Sequence, residues 1–389
     1  MDLFGDLPAP ENKNNGVSTA KPVPTLYEED ELSSEAEANQ DSSVRRNDSR
    51  IEACTAVQGT KRKAEDEPAD CRPVTSTVQR APADSQDWDW LRRQRIQDLL
   101  SLKGYVAERK GERDEMQDAH VILDDFIADF TSTPSAVSRI SYYAVFDGHG
   151  GVRASSYSAQ TLHLNLAKRF PKGEVANLEK EIKKCLVDTF KKTDEDFLKQ
   201  ASSQKPVWKD GSTATCVLVV DDVLYIANLG DSRAVLCRSN EDGKNRMAVT
   251  LSKDHTPGQY EERMRIQKSG GMVRDGRVMG TLEVSRSIGD GQYKRCGVIP
   301  TPDVRRCHLT ANDRYILLAC DGLFKAFSPE EAINFITPIL ESEEAMEKEG
   351  KSEQDVRFEA ACARLASQAV RRGSADNVTV LLVCVGQSK

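Results

Sequence analysis

Four carboxylates in this chain stand where an apolar run meets a turn. Ser141–Phe146 runs into Asp147-Gly148-His149-Gly150-Gly151, and Arg314–Cys320 runs into Asp321-Gly322. Val223–Leu229 leads to Gly230-Asp231-Ser232-Arg233, and Asp376-Asn377 opens the closing run Val378–Val385. Taken singly, each is a turn, because Asp and Gly suit tight reversals. Taken together, they place carboxylates at the rim of a buried sheet, where neighbouring strand ends gather them into one cleft. Two such charges ~4 Å apart at an effective dielectric of ~20 repel by about 4 kcal/mol, so the cluster needs cations or protons. Oxygen-only ligands suit Mg²⁺ or Mn²⁺. The five histidines and ten cysteines show no zinc spacing.

A second charged segment, Gly111-Glu112-Arg113-Asp114-Glu115-Met116-Gln117-Asp118-Ala119-His120, sets an arginine five residues before another acid. Beside a pair of divalent ions, an arginine suits a bidentate grip on phosphate oxygens. By itself the segment reads equally as a charged loop.

These groups need a scaffold. Strand-like runs occur at Ser141–Phe146, Thr213–Val220, Val223–Asn228, Ser232–Arg238, Arg314–Ala319 and Thr379–Val385. Ile182, Cys185, Leu186, Phe190 and Phe197 follow the helical period, as do Phe358, Cys362, Leu365 and Ala369. The succession Thr213–Val220, Val223–Asn228, Ser232–Arg238, joined by short turns, predicts a meander and hence antiparallel sheet. A layered α+β domain of roughly 280 residues follows. It is expected over 104–389, preceded at 88–103 by a lead-in helix or a linker, with Trp88, Leu91, Leu99 and Leu102 as the inward positions of such a helix. Residues 1–87 are rich in Ser, Ala, Glu, Asp and Pro without apolar period, and are expected to be disordered. Within them Leu3-Phe4 and Leu7, among Asp2 and Asp6, form an acidic-hydrophobic patch.

Composition narrows the classes. Hydrophobic residues make up 38% and charged residues 30%, and no run approaches the ~20 apolar residues that span a bilayer. The start, Met1-Asp2-Leu3-Phe4, lacks the basic and apolar regions of a secretory signal. An intracellular protein with reduced thiols is expected, cytoplasmic and nuclear, the nuclear part resting on Lys61-Arg62-Lys63. Cys216, Cys237, Cys320 and Cys384 lie in apolar runs and read as buried hydrophobes. A net charge of -8 argues against nucleic acid as a partner, and a monomer without membrane attachment is expected.

The motifs resemble a known family. Gly111-x-Arg113-x-x-Met116-x-Asp118, Phe146-Asp147-Gly148-His149-Gly150-Gly151, Gly211-Ser212-Thr213-Ala214 and Asn228-Leu229-Gly230-Asp231-Ser232-Arg233 are similar to those of metal-dependent serine/threonine phosphatases of type 2C. So are Val284-Ser285-Arg286-Ser287-Ile288-Gly289-Asp290, Cys320-Asp321-Gly322-Leu323 and Asp376-Asn377-Val378. The resemblance implies a four-layer α-β-β-α sandwich of two antiparallel sheets flanked by helices, with two Mg²⁺ or Mn²⁺ ions at one end. It implies that Asp147 bridges the ions, Asp321 and Asp376 hold the first, and the Gly148 carbonyl helps hold the second. Asp118 then orients water, Arg113 binds the phosphoryl group, His149 protonates the departing alkoxide, and Asp231 matches a carboxylate associated with a third ion. The activity implied is hydrolysis of phosphoserine and phosphothreonine in phosphoproteins by a water between two divalent ions. Such ions acidify water and neutralise phosphoryl oxygens, and a poor alkoxide leaving group gains from a nearby acid. Met1-Asp2-Leu3-Phe4-Gly5-Asp6-Leu7 and Asp321-Gly322-Leu323-Phe324-Lys325 resemble the branch associated with integrin-linked kinase, which implies a complex with that kinase as partner and a role in kinase signalling.

Two positions depart from the family pattern. Gln117 stands where the family has Glu, so its amide oxygen can coordinate without adding charge, and the second ion would be held more weakly. Lys325 stands where the family commonly has Asp, and a protonated lysine cannot ligate a cation, which counts against a third ion. Its ammonium is expected either to replace that ion, beside Asp231, or to form a surface ion pair. These departures leave room for a phosphate-binding module without turnover, and the scaffold also admits a nucleotide or small-molecule phosphatase. Retention of Asp147, Asp321, Asp376, Arg113 and His149 favours an enzyme.

Overall fold

The apolar runs form strands because both faces of each are covered, so alternation gives way to continuous hydrophobicity. The computed structural model describes residues 99–240, 243, 245–342 and 350–386. The tail 1–87, its apolar patch and basic cluster, and the first part of the expected lead-in helix lie outside the described residues.

In chain order the first elements are β1 (Ser101–Arg109), β2 (Ala119–Leu123), β3 (Ile140–Phe146), β4 (Gly148–His149), α1 (Arg153–Arg169) and α2 (Leu178–Ser202). There follow β5 (Gly211–Ser212), β6 (Ala214–Val220), β7 (Val223–Leu229), β8 (Arg233–Ser239), β9 (Arg246–Thr250) and α3 (Tyr260–Lys268). A small hairpin comes next, β10 (Val273–Arg274) and β11 (Arg277–Val278), then β12 (Ile288–Gly289), α4 (Gly291–Lys294) and β13 (Asp303–His308). The chain closes with β14 (Asp313–Ala319), α5 (Asp321–Phe324), α6 (Pro329–Leu340), α7 (Glu353–Arg371) and β15 (Val378–Gly386).

Two five-stranded antiparallel sheets result, ordered β1-β15-β14-β8-β9 and β13-β7-β6-β3-β2. Tyr143, Val145, Val217, Val219 and Ile226 of the second meet Leu236, Ile316, Leu318, Leu381 and Val383 of the first between the sheets. α1 and α2 cover the outer face of the second sheet, where Leu162, Leu166, Ile182, Leu186 and Phe190 pack on Tyr142, Phe146 and Leu218. α6 and α7 cover the outer face of the first, where Ile333, Ile336, Phe358, Cys362 and Leu365 pack on Val235, Leu317 and Leu382. The architecture is the expected α-β-β-α sandwich, and both helical stripes read from the sequence face its core.

Two expectations fail. β8 does not continue a meander from β7: it crosses to the other sheet and pairs with β14 and β9. Its alternate side chains are buried on opposite faces, Ala234 and Leu236 between the sheets and Val235 and Cys237 under the helices, so periodicity carried no sheet assignment. The crossing turns at Gly230, whose φ is +106° and where a Cβ would stand 2.5 Å from Thr213. Second, Ser101–Lys103 begin β1 instead of ending a helix, paired with Val383–Gly386 of β15 through Gly104. Leu100 and Leu102 pack into the inter-sheet core, which outweighs local helical preference.

Candidate active site

The cleft is assembled where loops at one end of the sandwich pass close to each other. At the end of β3, the Asp147 N–H donates to Thr213 Oγ1 at 3.1 Å, and Thr213 N–H returns a bond to the Asp147 carbonyl at 2.9 Å. The next residue, Gly148, pairs with Ser212 in a three-stranded ribbon of β12, β5 and β4. A Cβ there would lie 2.2 Å from the Gln117 carbonyl oxygen, so only glycine lets the β1–β2 loop approach. Gly322 is equally confined, since its Cβ would meet the Asn377 carbonyl at 2.0 Å. That contact seats α5, and with it Asp321, against the start of β15.

Asn377 organises the neighbouring loop. Its Nδ2 donates to the carbonyls of Lys110 at 2.8 Å and Glu115 at 3.0 Å, while its Oδ1 accepts from Gln117 N–H at 2.7 Å. Ser155 Oγ donates to the Gln117 carbonyl. The loop so held presents Arg113, whose Nη2 is 3.0 Å from Asp376 Oδ2, and delivers Asp118 to the floor.

At that floor Asp118, Asp147 and Cys320 bring donor atoms within 4.8 Å of one another. Asp118 Oδ2 accepts from Thr379 Oγ1 at 2.7 Å, but its buried Oδ1 has no hydrogen-bond partner among the described residues. Burial, then the charges of Asp118, Asp321 and Asp231, push the Asp147 carboxyl well above its usual range. Burial first, with Asp376 and Asp321 adding, lifts Asp118 to about 7. Asp231 also rises to about 7, through burial and then Asp321 and Asp254. Asp321 is raised by burial despite Lys325. Asp376 alone is depressed: burial would raise it, but Lys325, the Asn377 N–H and Arg113 outweigh burial. Acids this close and an orphaned buried carboxylate oxygen fit hard divalent cations held through oxygen.

All five predicted acids, Asp118, Asp147, Asp231, Asp321 and Asp376, therefore belong to one electrostatic cluster. Lys325 is not paired with Asp231, as anticipated; its Nζ lies 2.7 Å from Asp321 Oδ2 and 2.8 Å from Asp376 Oδ2. The reason is helical: Lys325 follows Asp321 by four residues, one turn along α5. A cavity of about 330 Å³ adjoins this pair, lined by Arg113, Lys325, Arg372, Ser374 and Asp376. Gln117 enters through its backbone N–H and carbonyl, both of which are engaged.

His149 stands in β4 with Nε2 2.7 Å from Asp290 Oδ2. Ser287 Oγ donates to the same oxygen at 2.7 Å, and Asp290 follows β12 in a left-handed conformation, φ +53°. Lys294 Nζ, 3.0 Å from Asp194 and 2.7 Å from the Ser287 carbonyl, pins that segment. Burial works against a charged His149 ring, but Asp290 outweighs it and raises the imidazole pKa. Asp290, Asn377 and Thr379 had no assigned role from sequence, although Asp290 and Asn377 lie in quoted motifs. Cys320, read as a core hydrophobe, proves to wall the site: Sγ donates to the Asn377 carbonyl at 3.3 Å and accepts from Thr379 N–H at 3.1 Å. Burial keeps that thiol protonated, so it is no nucleophile.

Comparison with known proteins gives the family and the fold. Residues 103–378 match the family Protein phosphatase 2C. The chain is 58% identical over 387 residues to a Bos taurus protein named integrin-linked kinase-associated serine/threonine phosphatase 2C, covering 99% of this chain and 100% of that one. To the Homo sapiens protein of the same name it is 69% identical over 288 residues, 74% of each chain. A probable protein phosphatase 2C 8 of Arabidopsis thaliana is 37% identical, covering 72% of this chain and 77% of the relative. Among solved structures, a serine-threonine phosphatase 2C from Toxoplasma gondii shares the fold, with a TM-score of 0.59, 21% identity, and coverage of 73% of this chain and 95% of that chain.

Proposed function

Because the chain belongs to the protein phosphatase 2C family, a divalent-metal-dependent family of serine/threonine phosphatases, we propose that the acid cluster is its catalytic centre. The enzyme is a protein-serine/threonine phosphatase that hydrolyses phosphoserine and phosphothreonine monoesters. In this reading Asp147, Asp321, Asp376 and the Gly148 carbonyl hold two ions, Mg²⁺ or Mn²⁺, with Gln117 beside the second. When bound, such ions supply Lewis acidity that lowers the pKa of water and neutralises charge on phosphoryl oxygens.

The protein's own groups do the rest. Arg113, held over Asp376 by the Asn377-bound loop, grips two phosphoryl oxygens through its planar fork. Asp118, fixed by Thr379, orients the attacking water. His149 delivers a proton to the departing serine or threonine oxygen. Asp290 occupies Nε2, which leaves Nδ1 for the substrate. Asp231 shapes the field around Asp321, and Lys325 supplies the positive charge that a third ion would bring there.

The observation that carries this reading is the gathering of Asp118, Asp147, Asp321 and Asp376, acids spread over more than 250 residues, into one electrostatic cluster that includes a buried Asp118 oxygen with no partner among the described residues. The test is turnover of a phosphoserine peptide by wild type and Asp147→Asn across Mg²⁺ and Mn²⁺. Wild type turns over only with a divalent ion, and the variant loses at least ~10³-fold. Equal rates for the two proteins, or full activity in EDTA, would overturn it. By the naming of its relatives, we further propose a complex containing integrin-linked kinase; its place in cytoplasm and nucleus is proposed from Lys61-Arg62-Lys63 alone. Co-purification with that kinase from each fraction is the measurement, and its absence from both rejects the partner.

A further inference from the structure

On the outer face of α7, away from its buried stripe, a second cavity of about 420 Å³ opens between that helix, α6 and the end of β1. Arg364 and Arg371 stand seven residues apart on α7, with Ser367 and Gln368 between them on the same face; Ala363, Arg109 of β1 and Phe335 of α6 complete the lining. Among the described residues no carboxylate lines the cavity. Among the described residues neither Arg364 nor Arg371 forms an ion pair, whereas most other arginines of the domain do. Arg109 is pre-aimed, its Nε donating to Ser367 Oγ at 3.1 Å and one Nη to the Glu108 carbonyl at 2.7 Å.

We propose that this groove binds a phosphorylated side chain of a peptide partner, at a site separate from the catalytic cleft. Three guanidinium forks with unspent donors match the oxygens of a phosphate monoester, and the Phe335 ring offers an apolar wall to the adjoining peptide. An extended polyanion is disfavoured by the overall charge of -8, so a single anionic group in a local basic recess is the ligand that fits. Placement gives the groove a use: Arg109 lies four residues before Arg113, and Arg371 lies five before Asp376. Each of these two walls therefore runs within ~18 Å of extended chain into a catalytic loop. A phosphoprotein held here has its neighbouring segments near the cleft.

The experiment is fluorescence polarisation with a labelled decapeptide whose only anionic side chain is one phosphoserine, and its unphosphorylated twin, in EDTA to prevent turnover. The proteins are the full chain, R113A, and R364Q/R371Q, which keeps size while removing charge at exposed positions. Wild type and R113A should bind the phosphopeptide alike. R364Q/R371Q should bind it about tenfold or more weakly, the scale of a lost hydrogen bond to a charged group, while hydrolysing p-nitrophenyl phosphate at the wild-type rate. Unchanged binding by R364Q/R371Q, loss of binding in R113A alone, or equal binding of the twin peptide would each overturn the proposal. The binding readouts do not depend on catalysis, and p-nitrophenyl phosphate hydrolysis is measured separately with Mn²⁺, so failure here is distinct from failure of the enzymatic reading.

Discussion

His149 and Asp290, 141 residues apart in sequence, meet at 2.7 Å, with the Asp290 carboxylate 2% exposed and already accepting from Ser287. A buried acid on one ring nitrogen fixes the imidazole's tautomer and angle and stabilises its protonated form, the form an acid catalyst needs. Asp290→Asn keeps the shape and tolerates the left-handed backbone, but withdraws the charge. Turnover of a phosphoserine peptide should fall about 10²-fold. Turnover of p-nitrophenyl phosphate, whose leaving group departs without a proton, should change far less. Equal losses on both substrates would reduce Asp290 to a structural role.

Lys325 bridges Asp321 and Asp376 in the place where a cation is needed. An ammonium there both balances the acids and competes with an incoming ion. Lys325→Ala should bind Mn²⁺ about tenfold more tightly in calorimetric titration, the scale of one screened charge contact. In EDTA the same variant should melt at lower temperature, because two carboxylates lose their counter-charge. A bystander ion pair on the surface would leave the calorimetric affinity where it was.

Asp147 and Asp321 were legible because each ends a hydrophobic run in Asp-Gly, which turns the chain at the rim of a buried sheet, while Asp231 and Asp376 lie in turns that flank such runs. Their mutual proximity was legible only as an inference from that placement. What the sequence withheld is tertiary. Nothing local links His149 to Asp290, or Gln117 to Asn377 across 260 residues. β8 is apolar on both faces, so its pattern fitted either sheet. Ser101–Lys103 read as helix because the partner strand that claims them, β15, lies at the far end of the chain.

Glu262, on α3, receives both Arg265 nitrogens at 2.7 and 2.6 Å, Arg286 at 2.8 Å, and Ser285. Burial would raise this carboxyl, but the hydrogen bonds from Arg265 and Arg286 win and hold it at about 2, against 4.5 ordinarily. A depressed folded value stabilises the protein above pH ~4.5, and that contribution fades as pH falls toward 2. The shift corresponds to about 3 kcal/mol at neutral pH. Glu262→Gln should therefore be less stable than wild type in urea at pH 7, and the gap should narrow by about 2 kcal/mol at pH 3. A gap independent of pH would mean that packing, not charge, carries the effect.

Removal of divalent ions should expose the strain that the acid cluster carries. With Asp118 and Asp147 oxygens no more than 4.8 Å apart, two full charges repel by about 3.5 kcal/mol at an effective dielectric of ~20. Burial and this repulsion raise Asp147 above its unfolded value, so the metal-free fold takes up protons and loses stability as pH rises. Asp147→Asn removes one charge at constant volume. In EDTA at pH 8 the variant should melt above wild type, and its stability should fall less steeply between pH 5 and pH 8. Mn²⁺ at a hundred times its dissociation constant should then raise wild type by about 2.7 kcal/mol and the variant by much less, inverting the order. Thermal melts of both proteins with and without Mn²⁺ decide the matter: if wild type is the more stable in EDTA as well, the acids are not in electrostatic conflict and the cleft is not built around cations.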